Sequence, residues 1–154
     1  MLKKSNKRIA GLLAAVAMIG TLGSAMPVMA ANTSDTEYRI NVESSSGAFK
    51  GVMERDKQND SKVYVNIYSA PTQYTQVRTY GNRNSSVFYN ETGGTTAVVK
   101  RGVQSSITNY CYENRKSNYT YVLTQVRFRS NASTTGTVTG VWSPDSTKNY
   151  TVVN

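Results

Sequence analysis

The chain has 154 residues, with 18 Lys and Arg against nine Asp and Glu, a single Cys and no His. Without histidine there is no Ser-His-Asp or Cys-His nucleophile and no histidine-ligated zinc, and one cysteine cannot form an internal disulfide or a cysteine-cluster metal site. We therefore predict no metal site, no cofactor and no catalytic residue of these kinds.

The first thirty residues have the pattern of a secretory signal peptide. Basic residues within 3–8 precede an uncharged apolar run from Ile9 to Leu22, and small residues lead up to Ala30. This run is too short to cross a hydrocarbon core of roughly 30 Å comfortably, so we predict cleavage after Ala30 or Ala31. The long basic start is typical of Gram-positive secretion. We expect a secreted, extracellular protein with no transmembrane segment after cleavage.

Removal of this segment changes the charge balance. Residues 1–30 hold four of the bases and none of the acids, so residues 31–154 carry a formal charge of +5 instead of +9. A charge this moderate is not the footprint of a dedicated nucleic-acid binder, and we expect no nucleic-acid partner. The polar residues 31–37 are predicted to be a disordered leader, and residues 38–154 a single domain.

From residue 38 onward the pattern predicts strands. Short runs of β-branched and aromatic residues alternate with turn residues, and no ten-residue stretch has a helical period. Eight or nine short strands of this kind are typical of an antiparallel β-sandwich or a small barrel. We favour the sandwich, because a sheet with one apolar face must bury it against a second sheet. In chain order, eight runs lie at 38–43, 63–68, 74–80, 87–89, 97–100, 103–110, 119–129 and 137–142. A weaker run lies at 48–53, and residues 150–153 are a possible edge strand.

Alternation within these runs predicts which side chains are buried. Val63, Val65 and Ile67 share one face of their strand, and Val122 to Phe128 do so at every second residue. Trp142, on the last core strand, is predicted to be a core anchor.

The polar sides of two strands carry tyrosine and arginine. Tyr74, Arg78 and Tyr80 project from one strand, and Arg127 and Arg129 from another. If the two strands share a sheet, these five side chains, which we call the Tyr/Arg face, lie together. Arginine binds phosphate or carboxylate bidentately, and tyrosine can stack on a sugar ring. We predict that this face binds an anionic cell-wall component, a lipid-linked component or a protein; the alternative is an ordinary solvated sheet face.

The carboxylates leave an enzymatic alternative open, although we expect a non-enzymatic protein. Glycoside hydrolysis needs only two carboxylates, so a hydrolase that uses two of Glu54, Glu91, Glu113 and Asp145 is possible. Each of these residues is more simply part of a turn. The charged stretch at 54–62 resembles a solvated hairpin tip, and Asp145 follows a proline and is predicted to cap a turn through its own side chain.

Cys111 is predicted to be a half-buried packing residue. A cysteine nucleophile needs a neighbouring histidine or a helix N-terminus to lower its pKa, and the sequence offers neither. A disulfide-linked dimer is the alternative, and the oligomeric state stays open.

The C-terminal third resembles a group of small exported Gram-positive proteins. It has Arg-Phe-Arg at 127–129, a Ser/Thr loop, and then Gly-Val-Trp-Ser-Pro-Asp-Ser at 140–146. That group is a family of a domain of unknown function in which a signal peptide precedes a short all-β domain. The resemblance covers about residues 38–150; it implies the fold and no activity.

The layout is more remotely similar to the lactococcin-type bacteriocins. These are small, exported, basic β-sandwiches that disturb cell-wall synthesis by engaging a lipid-linked precursor. The chain is longer than they are and lacks their Trp/Gly-rich start and their histidines, so no residue roles carry over. The similarity implies an alternative function, a bacteriocin-like antimicrobial effector that acts on the cell envelope of related bacteria.

Overall fold

The computed structural model describes residues 32–148 and 150–154, and these residues form eleven strands and no helix. The predicted signal peptide lies outside the described residues. Within this part of the chain no helix is long and apolar enough to span a membrane. The strands are β1 Thr36–Val42, β2 Lys50–Gly51, β3 Arg55–Lys57, β4 Val63–Ser69, β5 Tyr74–Gly81, β6 Tyr89–Asn90, β7 Ala97–Lys100, β8 Ser105–Ile107, β9 Val122–Ser130, β10 Gly136–Ser143 and β11 Thr151–Val153.

The strands form two sheets, and the predicted β-sandwich is confirmed. The five-stranded sheet has the order β1-β10-β4-β8-β11, and all of its pairs are antiparallel except the parallel pair of β11 with β8. The six-stranded sheet is built around the antiparallel pair of β5 and β9. The short strands β2 and β3 pair with the other edge of β9, and β6 and β7 pair with the other edge of β5.

The core lies between the two sheets, where the apolar sides of the strands meet. Val63, Val65 and Ile67 are fully buried on β4, as their alternation predicts. Phe128 of β9 is also fully buried, and its ring stacks on Tyr38 of β1 with 4.7 Å between centroids. Trp142 is 0 % exposed, which confirms its predicted place in the core.

A glycine allows β10 to approach β4 closely beside this core. The register of the pair shifts between Thr139 and Gly140. A Cβ atom on Gly140 would collide with the carbonyl oxygen of Asn66 and with the hydroxyl of Tyr38. Glycine is therefore required here for close backbone approach.

Two stretches differ from the sequence prediction. The first strand begins at Thr36, inside the stretch predicted to be a disordered leader, because Thr36 and Glu37 pair with the end of β10. The charged stretch predicted to be a solvated tip contains β3, which pairs with β9 and leaves Lys57 0 % exposed. For Lys57 the prediction of a solvated side chain is wrong, since an edge strand turns it into the interior.

Candidate functional site

The structure brings the five residues of the Tyr/Arg face onto one side of the six-stranded sheet. Arg78 of β5 lies directly opposite Arg127 of β9 in the antiparallel register, and Gln76 lies opposite Arg129. Their neighbours along each strand, Thr75, Val77 and Thr79 on β5 and Val126 and Phe128 on β9, point to the core. The two strands therefore present the alternating polar residues together on the outer face of the sandwich.

Aromatic rings separate the arginines of this face. Phe49, just before β2, lies between two guanidinium groups: Cζ of Arg78 is 4.2 Å and Cζ of Arg129 is 4.3 Å from its ring centroid. Cζ of Arg127 lies 4.0 Å from the centroid of Tyr80. These distances are those of cation–π contacts. Sequence reasoning missed Phe49, because the predicted run 48–53 has the weakest pattern and only the register of the adjoining β2 with β9 reveals the position of Phe49.

The three guanidinium groups differ in how fully they are hydrogen-bonded. Arg129 donates from Nε and Nη2 to Oε1 of Gln76, at 3.0 and 2.6 Å, and from Nη1 to the carbonyl oxygen of Gly47. Arg127 donates only from Nε, to Gln125, and Arg78 only from Nε, to Thr96. Within residues 32–148 and 150–154, the terminal nitrogens of Arg78 and Arg127 thus donate no hydrogen bond.

Among the residues that the structure describes, no carboxylate forms a salt bridge with an arginine of this face. The salt bridges among the described residues join Lys50 to Glu43, Lys57 to Asp145 and Arg83 to Glu91, and none involves an arginine of the Tyr/Arg face. Tyr74, the first residue of β5, is 41 % exposed and lies opposite Lys100 of β7. The face therefore offers unneutralised positive charge and free donors, which is the chemistry that binds an anion.

The four carboxylates considered for a hydrolase differ in burial and in hydrogen bonding. Glu91 is buried and accepts hydrogen bonds from Nε of Arg83 at 2.5 Å and from Nδ2 of Asn114 at 2.6 Å. Asp145 is buried, whereas Glu54 and Glu113 are exposed. In the part of the chain that the structure describes, no cluster of three or more His, Cys, Asp or Glu side chains could hold a metal ion. That the protein is not an enzyme stays a prediction.

A second polar site lies inside the sandwich, where Lys57 meets Asp145. Both side chains are 0 % exposed, and Nζ of Lys57 lies 3.0 Å from Oδ1 of Asp145. Nζ also donates to the carbonyl oxygens of Ser61, at 2.5 Å, and Pro144, at 2.7 Å. Burial lowers the pKa of Lys57, because desolvation penalises the ammonium form, and the nearby carboxylate only partly opposes this.

The prediction that Asp145 caps its own turn is wrong. Its carboxylate instead accepts hydrogen bonds from segments that are distant in the chain. Its Oδ2 accepts hydrogen bonds from the backbone N–H groups of Asn32, at 2.9 Å, and Gln58, at 3.1 Å. Asn32 is also held by Arg55, whose Nη2 donates to Oδ1 of Asn32 at 2.5 Å. The buried carboxylate thereby ties the segment before β1 to the end of β3.

Cys111 is a buried packing residue, as predicted, although it is fully rather than half buried. Its thiol is free. Burial raises its pKa to about 12, because the thiolate would lose its hydration. A thiol of this kind is not an activated nucleophile.

Comparison with known proteins identifies a family. No curated protein and no solved structure matches the chain. The Gram-positive source, the specificity of the 140–146 segment and the similarity to bacteriocins remain predictions. The expected membership of a domain-of-unknown-function family is confirmed. The model of the family described as "Protein of unknown function (DUF2712)" matches residues 26–146, and the chain belongs to this family.

Proposed function

We propose that the protein is a secreted, non-enzymatic β-sandwich that binds a phosphate-bearing anionic component of the cell envelope through the Tyr/Arg face. One observation carries the proposal. Arg78 and Arg127 lie opposite each other in register, both lack a carboxylate partner, and both keep their terminal nitrogens free of hydrogen bonds within the described residues.

The proximity of two like charges supports an anionic ligand. Directly opposite residues on antiparallel strands have Cβ atoms about 4.5–5.5 Å apart, and like charges in such positions destabilise the sheet. Aromatic contacts on Phe49 and Tyr80 offset part of this repulsion. A phosphate group between Arg78 and Arg127 would offset the rest, because it could accept hydrogen bonds from both guanidinium groups at once.

The aromatic residues suit a ligand that carries more than a phosphate. Tyr74 is exposed beside Lys100 of β7, on the same sheet as the arginines. An exposed tyrosine ring offers a flat apolar surface to a sugar or polyol unit, while the arginines bind the charge. The face therefore suits a phosphodiester-linked wall polymer better than an isolated inorganic ion.

Retention on purified cell walls tests the proposal. The chain, produced with its own amino-terminal segment, is incubated with walls at low and high salt. We expect retention at low salt that falls as salt rises, because salt screens exposed charges. Walls from which phosphodiester polymers have been stripped should retain much less protein. Binding to vesicles with anionic headgroups is measured separately, to test for a lipid-linked ligand.

A charge-matched pair of variants locates the site. The double variant Arg78→Gln/Arg127→Gln removes two charges from the face. The control Arg39→Gln/Lys62→Gln removes two charges from exposed residues of the other sheet and its flanking loop. We expect the first variant to lose at least about tenfold in affinity, since hydrogen bonds to charged groups are worth about 1.5–3 kcal/mol each, and the control to stay near the parent. No retention at low salt, or equal losses in both variants, would refute the proposal.

A further inference from the structure

The buried pair of Lys57 and Asp145 has the atoms and the geometry of an amide-forming site. Nζ of Lys57 lies 3.0 Å from Oδ1 of Asp145, and neither side chain is exposed to water. We propose that the two side chains condense to an intramolecular isopeptide bond, so that the folded domain crosslinks itself. This inference is independent of the proposed function of the Tyr/Arg face.

The two carboxylate oxygens of Asp145 are held for different roles. Oδ2 accepts backbone N–H groups from Asn32 at 2.9 Å and from Gln58 at 3.1 Å. Two such donors stabilise the negative charge that an oxygen gains when a nucleophile attacks its carbon. Oδ1 faces the lysine nitrogen and lies 3.4 Å from Oγ of Ser61. It is therefore the oxygen placed to leave.

The amine is fixed in a comparable way. The carbonyl oxygens of Ser61 and Pro144 accept hydrogen bonds from Nζ, so the nitrogen is held beside the carboxyl group by groups on two separate segments. Burial also favours the neutral amine over the ammonium form. Reacting groups that the fold holds together in this way need no encounter step, which lowers the barrier substantially.

The reaction balances without any further reagent. A proton first passes from the ammonium nitrogen to Oδ1, which gives a neutral amine and a neutral carboxylic acid. The nitrogen lone pair then attacks Cγ, and the C=O electron pair moves to Oδ2, where the two backbone N–H groups hold it. A second proton moves from the nitrogen to Oδ1, directly or through the Ser61 hydroxyl. The Cγ–Oδ1 bond then breaks, the carbonyl at Oδ2 re-forms and one water molecule leaves.

The product suits the site better than the ion pair does. Two buried ions carry a large desolvation penalty, and condensation removes both charges. The carbonyl oxygen of the new amide keeps the N–H donors of Asn32 and Gln58, and its N–H keeps a backbone carbonyl as acceptor. The exposed ion pair of Lys50 with Glu43, at 2.6 Å, has none of this enclosure and should stay uncondensed.

Peptide mapping of the folded chain by mass spectrometry tests the inference. A lysine that carries an amide on Nζ resists trypsin, so the uncut peptide 56–62 should be joined to peptide 130–148, with the loss of one water from their summed mass. Lys50 and Glu43 serve as the internal control: both lie in the tryptic peptide 40–50, which should be recovered by cleavage after Lys50 with its full mass. Recovery of peptide 58–62 from cleavage after Lys57, together with unlinked 130–148, would overturn the proposal.

Two variants extend the test. In Lys57→Arg the charge is retained but no amide of this kind should form, so peptide 130–148 should appear unlinked. In Asp145→Asn the carboxylate that takes the proton from the Lys57 ammonium is lost, so cleavage after Lys57 and an unlinked peptide 130–148 are expected. If either variant fails to fold, the map of the parent chain still decides the question.

Discussion

Replacement of Trp142 by alanine is the sharpest test of the core. A buried aromatic side chain removes about 150–250 Å² from water, and at about 25 cal/mol per Å² this is worth roughly 4–6 kcal/mol. Allowance for a partly compact unfolded chain reduces the figure by about 10–40 %. The indole Nε1 has no hydrogen-bond partner among the described residues, so no such bond is lost. The expected cost of Trp142→Ala is therefore about 3–5 kcal/mol, in line with measured aromatic-to-alanine changes.

Thermal unfolding followed by far-UV circular dichroism measures this cost, because the variant lacks the only tryptophan and with it the intrinsic fluorescence probe. For a domain of this size the midpoint should fall by roughly 10–25 °C. The control Trp142→Phe keeps an aromatic ring in the same place and should lose clearly less. A Trp142→Ala variant that melts within a few degrees of the parent would show that Trp142 is not the anchor that its burial indicates.

Two further predictions concern buried titratable groups. The thiol of Cys111, whose pKa is raised to about 12 by burial, should resist alkylation at neutral pH in the folded protein and react after unfolding in urea; fast labelling of the folded form would contradict this. Burial raises the pKa of Tyr38 above its ordinary value of 10.0, so the unfolded chain loses this proton first and stability should fall as the pH rises above about 10. Tyr38→Phe should flatten this loss of stability at alkaline pH. It should leave stability at neutral pH equal or higher, because the Tyr38 hydroxyl has no hydrogen-bond partner among the described residues. If denaturation curves show the same decrease of unfolding free energy with pH in parent and variant, the assignment to Tyr38 is refuted.

Strand alternation was sufficient to predict the sandwich and much of its core. Every second residue from Val122 to Phe128 is buried, because period-two burial is local and needs no knowledge of the partner strand. The same property placed Arg78 and Arg127 on polar faces. Whether they meet depends on the pairing of β5 with β9, which the structure supplies.

The buried Lys57 could not be predicted from the sequence. Locally it is one charge in a run of charged residues, and such runs are usually solvated. Its burial depends on Asp145, 88 positions away in the chain, and on the short strand β3, which has no apolar alternation of its own. Phe49 was missed for a related reason, since it lies just before a two-residue strand, which carries no periodic signal.

The position of Phe49 between Arg78 and Arg129 has a consequence for the entropy of binding. Free arginine side chains carry about 2 kcal/mol of rotamer entropy, which a ligand must usually overcome when it immobilises them. Here the aromatic ring and the hydrogen bonds to Gln76 and Thr96 already restrict both side chains in the folded protein. Folding has thus preorganised the face, and an anion that binds there would lose little affinity to the ordering of its receptor.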